Sequence, residues 1–319
     1  MKYSVSLALA SSLFATTGAL AQSSNPFSGP TQFFVEGYVD LSYLDASGGQ
    51  DGTLLRSEVD LGFRPDGDGL GFELGLDGYW LDSSTVDEDN TAIYPAVTLD
   101  TAFGQFSAGI PRSVLDRGYT ADTVFARSSF LDLQLNTFTD SFLGSAYLTS
   151  SETPYGLRYD GEFGATKIGL SYHQIDLGGG ETDNYALALR HEFDAISSFY
   201  DFAVFGGFEH VTNSTTDATN YTIGAESGAD NWTVGLQLTD NELIGDSRIA
   251  EVYADYSINN FTISGSVLDV NPGFGPSISY YGVGAEYRFL QNAYVDAGVV
   301  DSDAFGFERT YEVSLGWRF

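Results

Sequence analysis

The chain has no cysteine among its 319 residues, so no disulfide framework and no cysteine-ligated metal centre holds it together. Its three histidines, His173, His191 and His210, have no paired spacing, so a structural zinc site is not expected. Proline is scarce, at 8 residues, and no short repeat or linker-like stretch offers a place to cut the chain into domains. Basic residues are few, 13 against 44 acidic ones, and the formal charge is −31 at pH 7. Such a chain repels a phosphate backbone, so nucleic acid is not an expected partner. Beyond the first twenty-odd residues there is no apolar run of 18 or more, which leaves no candidate for a helical membrane span.

What is present is glycine, 37 residues, with 20 Tyr and 24 Phe, a composition that leans all-β. The N-terminus differs from the rest. Lys2 precedes an apolar run from Val5 to Leu20, and Ala19-Leu20-Ala21 stands before Gln22, the pattern of a secretory signal cleaved after residue 21. The mature chain, residues 22–319, reads as one β domain. Without cysteine its stability has to come from packing and a large hydrogen-bonded sheet.

Along that chain, apolar residues recur with a period of two. Phe33, Val35, Val39, Leu41 and Tyr43 alternate with Phe34, Glu36, Tyr38, Asp40 and Ser42. Leu55, Val59, Leu61 and Phe63 oppose Arg56, Glu58, Asp60 and Arg64, and Ile93, Val97 and Leu99 oppose Tyr94, Thr98 and Asp100. Sixteen such runs can be counted, from 31–45 to 306–319. Connections after even-numbered runs are mostly short, such as Ala102-Phe103 and Ile258-Asn259. Those after odd-numbered runs are longer and more polar, such as Ala46 to Gly52 and Ser83 to Asn90. This asymmetry, with about 9–11 residues needed per tilted crossing, predicts a transmembrane antiparallel β-barrel. Trp80, Trp232, Trp317, Tyr221 and Tyr256 fall on the apolar face, most of them near run ends, where interfacial girdles belong.

Residues 112–154 break the pattern, with no convincing alternation over a length uncommon for a structureless loop. Two further strands, around 128–134 and 142–149, are an alternative reading that makes eighteen. The chain ends on an alternating strand, Tyr311 to Phe319, carried to its last residue, which implies that this end is tied down.

Taken together, the signal, the sixteen runs, the long segment after the fifth and the terminal Phe319 resemble the general bacterial porins, trimeric sixteen-stranded channels, of an alphaproteobacterial type. Phe103-Gly104-Gln105-Phe106-Ser107-Ala108-Gly109 looks like that family's strand into its constriction loop, and Tyr155-Gly156-Leu157-Arg158-Tyr159 like the strand leaving it. The resemblance covers essentially the whole mature chain. It implies a passive diffusion channel in the bacterial outer membrane, a last strand paired with the first, and the third loop, 112–154, folded inward. It also implies a homotrimer among outer-membrane lipid and lipopolysaccharide, and assembly machinery that reads Phe319.

In the family, basic residues on the wall face acids on the inserted loop. By position Arg56, Arg158 and Arg190 look like the wall bases, and Asp116, Asp122, Asp132 and Asp140 are the loop acids available. Two features depart from the pattern: Thr98 stands where a fourth-strand base is expected, and the loop lacks a Pro-Glu-Phe-Gly-Gly run. Arg112, Arg117 and Arg127 either pair with the loop's own acids or act in the channel. From the alternation itself, Glu36, Asp40, Glu58, Asp60, Asp77 and Asp100 face the lumen, and carboxylates lining a pore favour cations.

No cofactor is expected. Asp66-Gly67-Asp68-Gly69-Leu70-Gly71 has Leu70 and Asp77 at positions five and twelve, which fails the EF-hand ligand pattern, so it reads as a turn. Asp87-Glu88-Asp89 could hold a divalent cation such as calcium loosely, bridging to lipid phosphates. Rival classes are a barrel enzyme, for which no Ser is tied by spacing to His191, and a secreted adhesin, which would be soluble without detergent.

Overall fold

In the computed structural model the chain is described over residues 32–319, apart from 48–49, 66, 85, 121–127, 130–132, 134–140, 151, 178–179, 198–199, 244, 274 and 304–308. The proposed signal, residues 1–21, lies outside the described residues. Alternation does what the sequence predicts: Leu41 is 47 % exposed and its neighbour Ser42 only 1 %, because one points out of a sheet and the other into its interior. The strands are β1 Gln32–Ala46, β2 Gln50–Arg64, β3 Gly69–Ser83, β4 Asp87–Thr101, β5 Gly104–Gly109, β6 Tyr155–Phe163, β7 Thr166–Asp176 and β8 Glu181–Ser197. They continue as β9 Tyr200–Thr212, β10 Asp217–Ala229, β11 Trp232–Asn241, β12 Ser247–Ile258, β13 Phe261–Asn271, β14 Ile278–Arg288, β15 Ala293–Ser302 and β16 Arg309–Arg318. Each pairs antiparallel with its neighbours in sequence, and β16 pairs with β1, so the sixteen strands close into a barrel. Closure leaves no row of unpaired N–H and C=O groups, the condition for crossing lipid as strands.

The seam sets Val39 against Trp317, Leu41 against Leu315 and Tyr43 against Val313. The Phe319 N–H donates to the Gly37 carbonyl at 2.9 Å, which extends the ladder to the last residue. Gly37 has φ +133°, and a Cβ there would lie 2.0 Å from the Glu58 carbonyl oxygen, so the position takes only glycine. Outward aromatics gather towards both ends of the wall. Phe33, Phe103, Phe163 and Phe261 are exposed at the end with short turns, and Tyr43, Tyr185, Tyr221 and Tyr311 at the other.

Two expectations change. The polar stretches Ala46 to Gly52 and Ser83 to Asn90 are not long loops: β2 begins at Gln50 and β4 at Asp87, with Trp80 facing Asp89 and Leu81 facing Glu88 in register. Backbone pairing is indifferent to side-chain polarity, so the hairpins run on past the apolar band. The eighteen-strand alternative also fails, because Phe142–Ser150 is a helix, α1. A short apolar run does not by itself separate helix from strand.

Candidate functional site: the loop seated in the lumen

The described residues of the segment that follows β5, 110–120, 128–129, 133, 141–150 and 152–154, include several that wall side chains receive inside the barrel. The first contact is at Pro111, whose carbonyl accepts from His173 Nε2–H at 2.8 Å. Arg112 follows. Its Nε donates to Asp60 Oδ1 of β2 at 2.9 Å, and its Nη1 pairs with Asp77 of β3. The guanidinium lies 4.6 Å from the centre of the Tyr94 ring. Glycine makes this seat. Gly75 stands opposite Asp60 and Tyr94 in register, and a Cβ on it would come within 2.8 Å of both Arg112 Nε and Asp60 Oδ1. Arg117 Nη1 meets the other Asp60 oxygen at 3.1 Å. Burial alone works against the Arg112 charge, but Asp60 and Asp77 outweigh it and hold its pKa well above the ordinary arginine value.

A 3-10 turn, Val114–Asp116, packs next, and Val114, Leu115 and Tyr119 lie against Ala186 and Ala188 of β8. Gly207 and Gly169 clear space for Leu115 and Tyr119, respectively, since a Cβ on either would sit within 2.8 Å of the loop side chain. The Tyr119 hydroxyl donates to Asp160 at 3.0 Å. Further on, Ser128 Oγ donates to Glu312 of β16 at 2.6 Å, and the Ser129 N–H to the same carboxylate at 3.0 Å.

Helix α1 returns the loop to β4. Its N-cap is Ser141, whose Oγ accepts from Gly144 N–H at 2.9 Å and donates to Asp116 at 2.7 Å. The Phe142 N–H points at both oxygens of Glu209 on β9, each at 3.0 Å, and Asn184 and Asn220 donate to that carboxylate at 2.8 and 2.9 Å. A wall carboxylate at a helix N-terminus satisfies an orphan donor and suits the helix dipole. Tyr147 then stacks edge-on against Tyr94, with ring centres 5.1 Å apart, and donates to the Ile93 carbonyl at 2.8 Å. Burial pushes the Asp116 carboxyl up to about 6, against the pull of its Ser141 hydrogen bonds and of Arg112.

Of the residues singled out from sequence, Asp60 and Asp77 line the lumen and hold the loop, while Asp40 accepts from Ser42 at 2.7 Å and Tyr294 at 3.1 Å. Arg158 is buried on the wall, and its partners are wall acids: Glu73 at 2.8 Å and Asp160 at 2.5 Å. Among the described loop residues it reaches the Arg112 carbonyl, at 3.4 Å. Arg190 pairs with Glu226 at 3.0 Å, near the short-turn end. Arg56 lies beside Asp40 in register, 5.8 Å from the Tyr38 ring centre. Asp100 accepts from Gln105 at 2.9 Å, and Glu36 and Glu58 lie with Asp60 on the inward face of β1 and β2. Asp116 binds within the loop, to Ser141. Asp122, Asp132, Asp140 and Arg127 lie outside the described residues.

In the described contacts loop bases meet wall acids; the expected meeting of wall bases with Asp122, Asp132 and Asp140 falls on residues outside the described ones. Among the described residues, Arg112 and Arg117 pair with Asp60 and Asp77. Glu209, Asp160 and Glu73 carry contacts that the sequence reading did not assign. Asp160 had a signal, two residues from Arg158 on one strand face. Glu209 had little, a lone acid among Phe205, Gly207 and Val211 on the inward side of β9.

A closed sixteen-stranded barrel, apolar outside, acidic inside and crossed by an anchored loop, defines a membrane channel of the porin class. The family model described as Gram-negative porin matches residues 6–305, and the chain belongs to that family. The chain is similar in fold to solved mutants of the porin from Rhodopseudomonas blastica. One aligns with TM-score 0.64 at 19 % identity and a second with 0.62 at 18 %, each over 90 % of this chain and 100 % of that one. No curated protein sequence matches. The family and fold are those of outer-membrane channels, not of enzymes.

Proposed function

We propose that residues 22–319 form a water-filled pore for passive diffusion of small hydrophilic solutes and ions, preferring cations, and that residues 1–21 export it as a cleaved signal. The observation that carries the selectivity is the distribution of lumen charge. Around β2, β3 and β6, acids meet bases one for one or nearly so: Asp60 and Asp77 with Arg112 and Arg117, Glu73 and Asp160 with Arg158. Across the barrel the inward faces of β9 to β13 and β15 carry Glu209, Glu226, Glu251, Asp255 and Asp296 and no Lys or Arg of their own. A lumen with that excess of carboxylates attracts cations and repels anions.

The remaining assignments follow the family: a homotrimer in the outer membrane, contact with lipopolysaccharide, loosely held divalent cations such as calcium at the acidic rim, and Phe319 as the signal read by the assembly machinery. We assign no catalytic activity. Conductance in a planar bilayer under a salt gradient tests the reading. Stepwise ohmic openings with a cation-side reversal potential are expected; folded, heat-modifiable protein that fails to conduct overturns it, and an anion-side potential overturns the preference alone.

A further inference from the structure

Three buried acceptors on the inward wall of β7 to β10 have no donor. They are His173 Nδ1, Asn184 Oδ1 and Asn220 Oδ1, on residues 0 %, 0 % and 8 % exposed, and none has a hydrogen-bond partner among the described residues. Burying a polar atom without a partner costs free energy, so each calls for one. The two asparagines donate their Nδ2 groups to Glu209, which turns their oxygens away from that carboxylate.

His173 is held so that its bare nitrogen faces Asn184. Its Nε2 bonds to the Pro111 carbonyl, which can only accept, so Nε2 carries the hydrogen and Nδ1 of the neutral ring carries the lone pair. The same ring lies over Gly156 of β6, where an added Cβ would stand 2.2 Å from His173 Cδ2. Cδ2 and Nδ1 are on opposite edges of an imidazole. With the Cδ2 edge towards β6, the Nδ1 edge faces β8, where Asn184 stands directly opposite His173 in register. Side chains so placed on one face of a sheet have Cβ atoms about 5 Å apart, so the ring nitrogen and the amide oxygen border one niche.

Whatever fills it has to bring positive charge or donors. The niche adjoins Glu209, 1 % exposed, whose described partners are the Asn184 and Asn220 amides and the Phe142 N–H, none of them a base. Arg158, on the neighbouring strand β6, is taken by Glu73 and Asp160. A histidine that donates one ring N–H to a backbone carbonyl presents its other nitrogen as metal-bound histidines do, and imidazole suits nickel, copper or zinc better than magnesium or calcium. Among the described residues no three His, Asp or Glu side chains converge to hold a metal ion, so this is not a structural metal centre. It offers one imidazole nitrogen and one amide oxygen, with Glu209 behind the amide to balance charge and water to complete the shell.

We infer that this niche binds a divalent transition cation through His173 Nδ1 and Asn184 Oδ1. The site stands on the wall geometry and does not depend on the channel reading. His173 holds the loop at Pro111, and Asn184 steadies the Glu209 carboxylate that receives the N-terminus of α1. An ion between them ties the two ends of the inserted loop to one wall site.

The test is calorimetric titration of nickel into the intact, untagged, detergent-extracted protein in excess magnesium, which occupies the acidic rim. Saturable binding at a single site per chain is expected. His173→Gln, which keeps an N–H for the Pro111 carbonyl and removes the ring nitrogen, weakens it by about tenfold or more. The double variant His191→Gln, His210→Gln removes the other two histidines and leaves it unchanged. Nickel slows proteolysis within 112–154 in wild type and not in His173→Gln, a response that a merely structural histidine does not give. Heat-modifiable mobility in gels verifies folding. Where His173→Gln does not fold, Asn184→Asp takes its place: a carboxylate at the niche tightens nickel binding if the ion sits there, and unchanged binding overturns the inference. A niche that holds only water gives no saturable binding over magnesium, which also overturns it, as does binding that survives His173→Gln and disappears with His191 and His210.

Discussion

One carboxylate, Asp60, holds two arginines of the inserted loop: Arg112 Nε at 2.9 Å through one oxygen and Arg117 Nη1 at 3.1 Å through the other. Arg112 is 4 % exposed and Asp60 17 %, so the pair is shielded from screening, and losing one partner strands a buried charge.

Asp60→Asn should therefore weaken the loop seat by about 3–5 kcal/mol, the usual cost of breaking a buried pair from one side. The barrel, closed by its backbone ladder, should persist. Limited proteolysis within 112–154 is the readout, expected to quicken at least tenfold while the heat-modifiable band survives. Unchanged cleavage would show that Asp60 is not what seats the loop.

Gly75→Ala tests the same seat from its floor. The added Cβ would sit 2.8 Å from both Arg112 Nε and Asp60 Oδ1, so the guanidinium has to move. Single-channel recordings should show a noisier or larger open state than wild type, with refolding yield little altered. Gly78→Ala, where the nearest atom to a Cβ is 3.4 Å away, should leave the current as it was.

Asp116 makes the loop sensitive to pH. Its folded carboxyl titrates near 6, above the ordinary 3.8, so between those values the folded protein binds a proton that the unfolded chain has released. Stability from this group is full below the unfolded value and falls as pH rises through 4 to 6, by roughly 3 kcal/mol at most. Asp116→Asn should flatten that part of the profile of unfolding temperature against pH. A slope of the same size in the variant would assign it to another group.

Selectivity should reside across the lumen from the loop arginines. The double variant Glu251→Gln, Asp255→Asn removes two inward carboxylates of β12, a strand whose one base, Arg248, faces outward. The reversal potential under a salt gradient is expected to shift towards zero, with conductance changing less than twofold. An unmoved potential would place the cation preference elsewhere.

Much of this molecule is legible along the chain, and the reason is periodicity. Phe33 to Tyr43 or Ile93 to Leu99 can hide apolar side chains on one face only as strands, and strands that face lipid have to close. Less was visible at strand ends, where Asp87 to Asn90 look like loop yet stay in the ladder, because pairing there depends on the neighbouring strand. Least visible was the 112–154 loop, whose α1 contacts β4 and β9 through Tyr147 and Phe142.

The sequence by itself determined the β-barrel class, the lipid and lumen faces, the acidity of the interior and a long connection after the fifth strand, because each depends on local alternation, composition or chain length. The choice of sixteen strands over eighteen waited on the helix Phe142–Ser150. Only the tertiary structure decided which charges meet. Asp60 and Arg112 are 52 residues apart, and Gly75, which makes room for both, shows in the sequence only as a missing side chain. The direction of the ion pairs, from loop bases to wall acids, follows from the register of β2, β3 and β4 around that gap, and register is a property of the closed sheet.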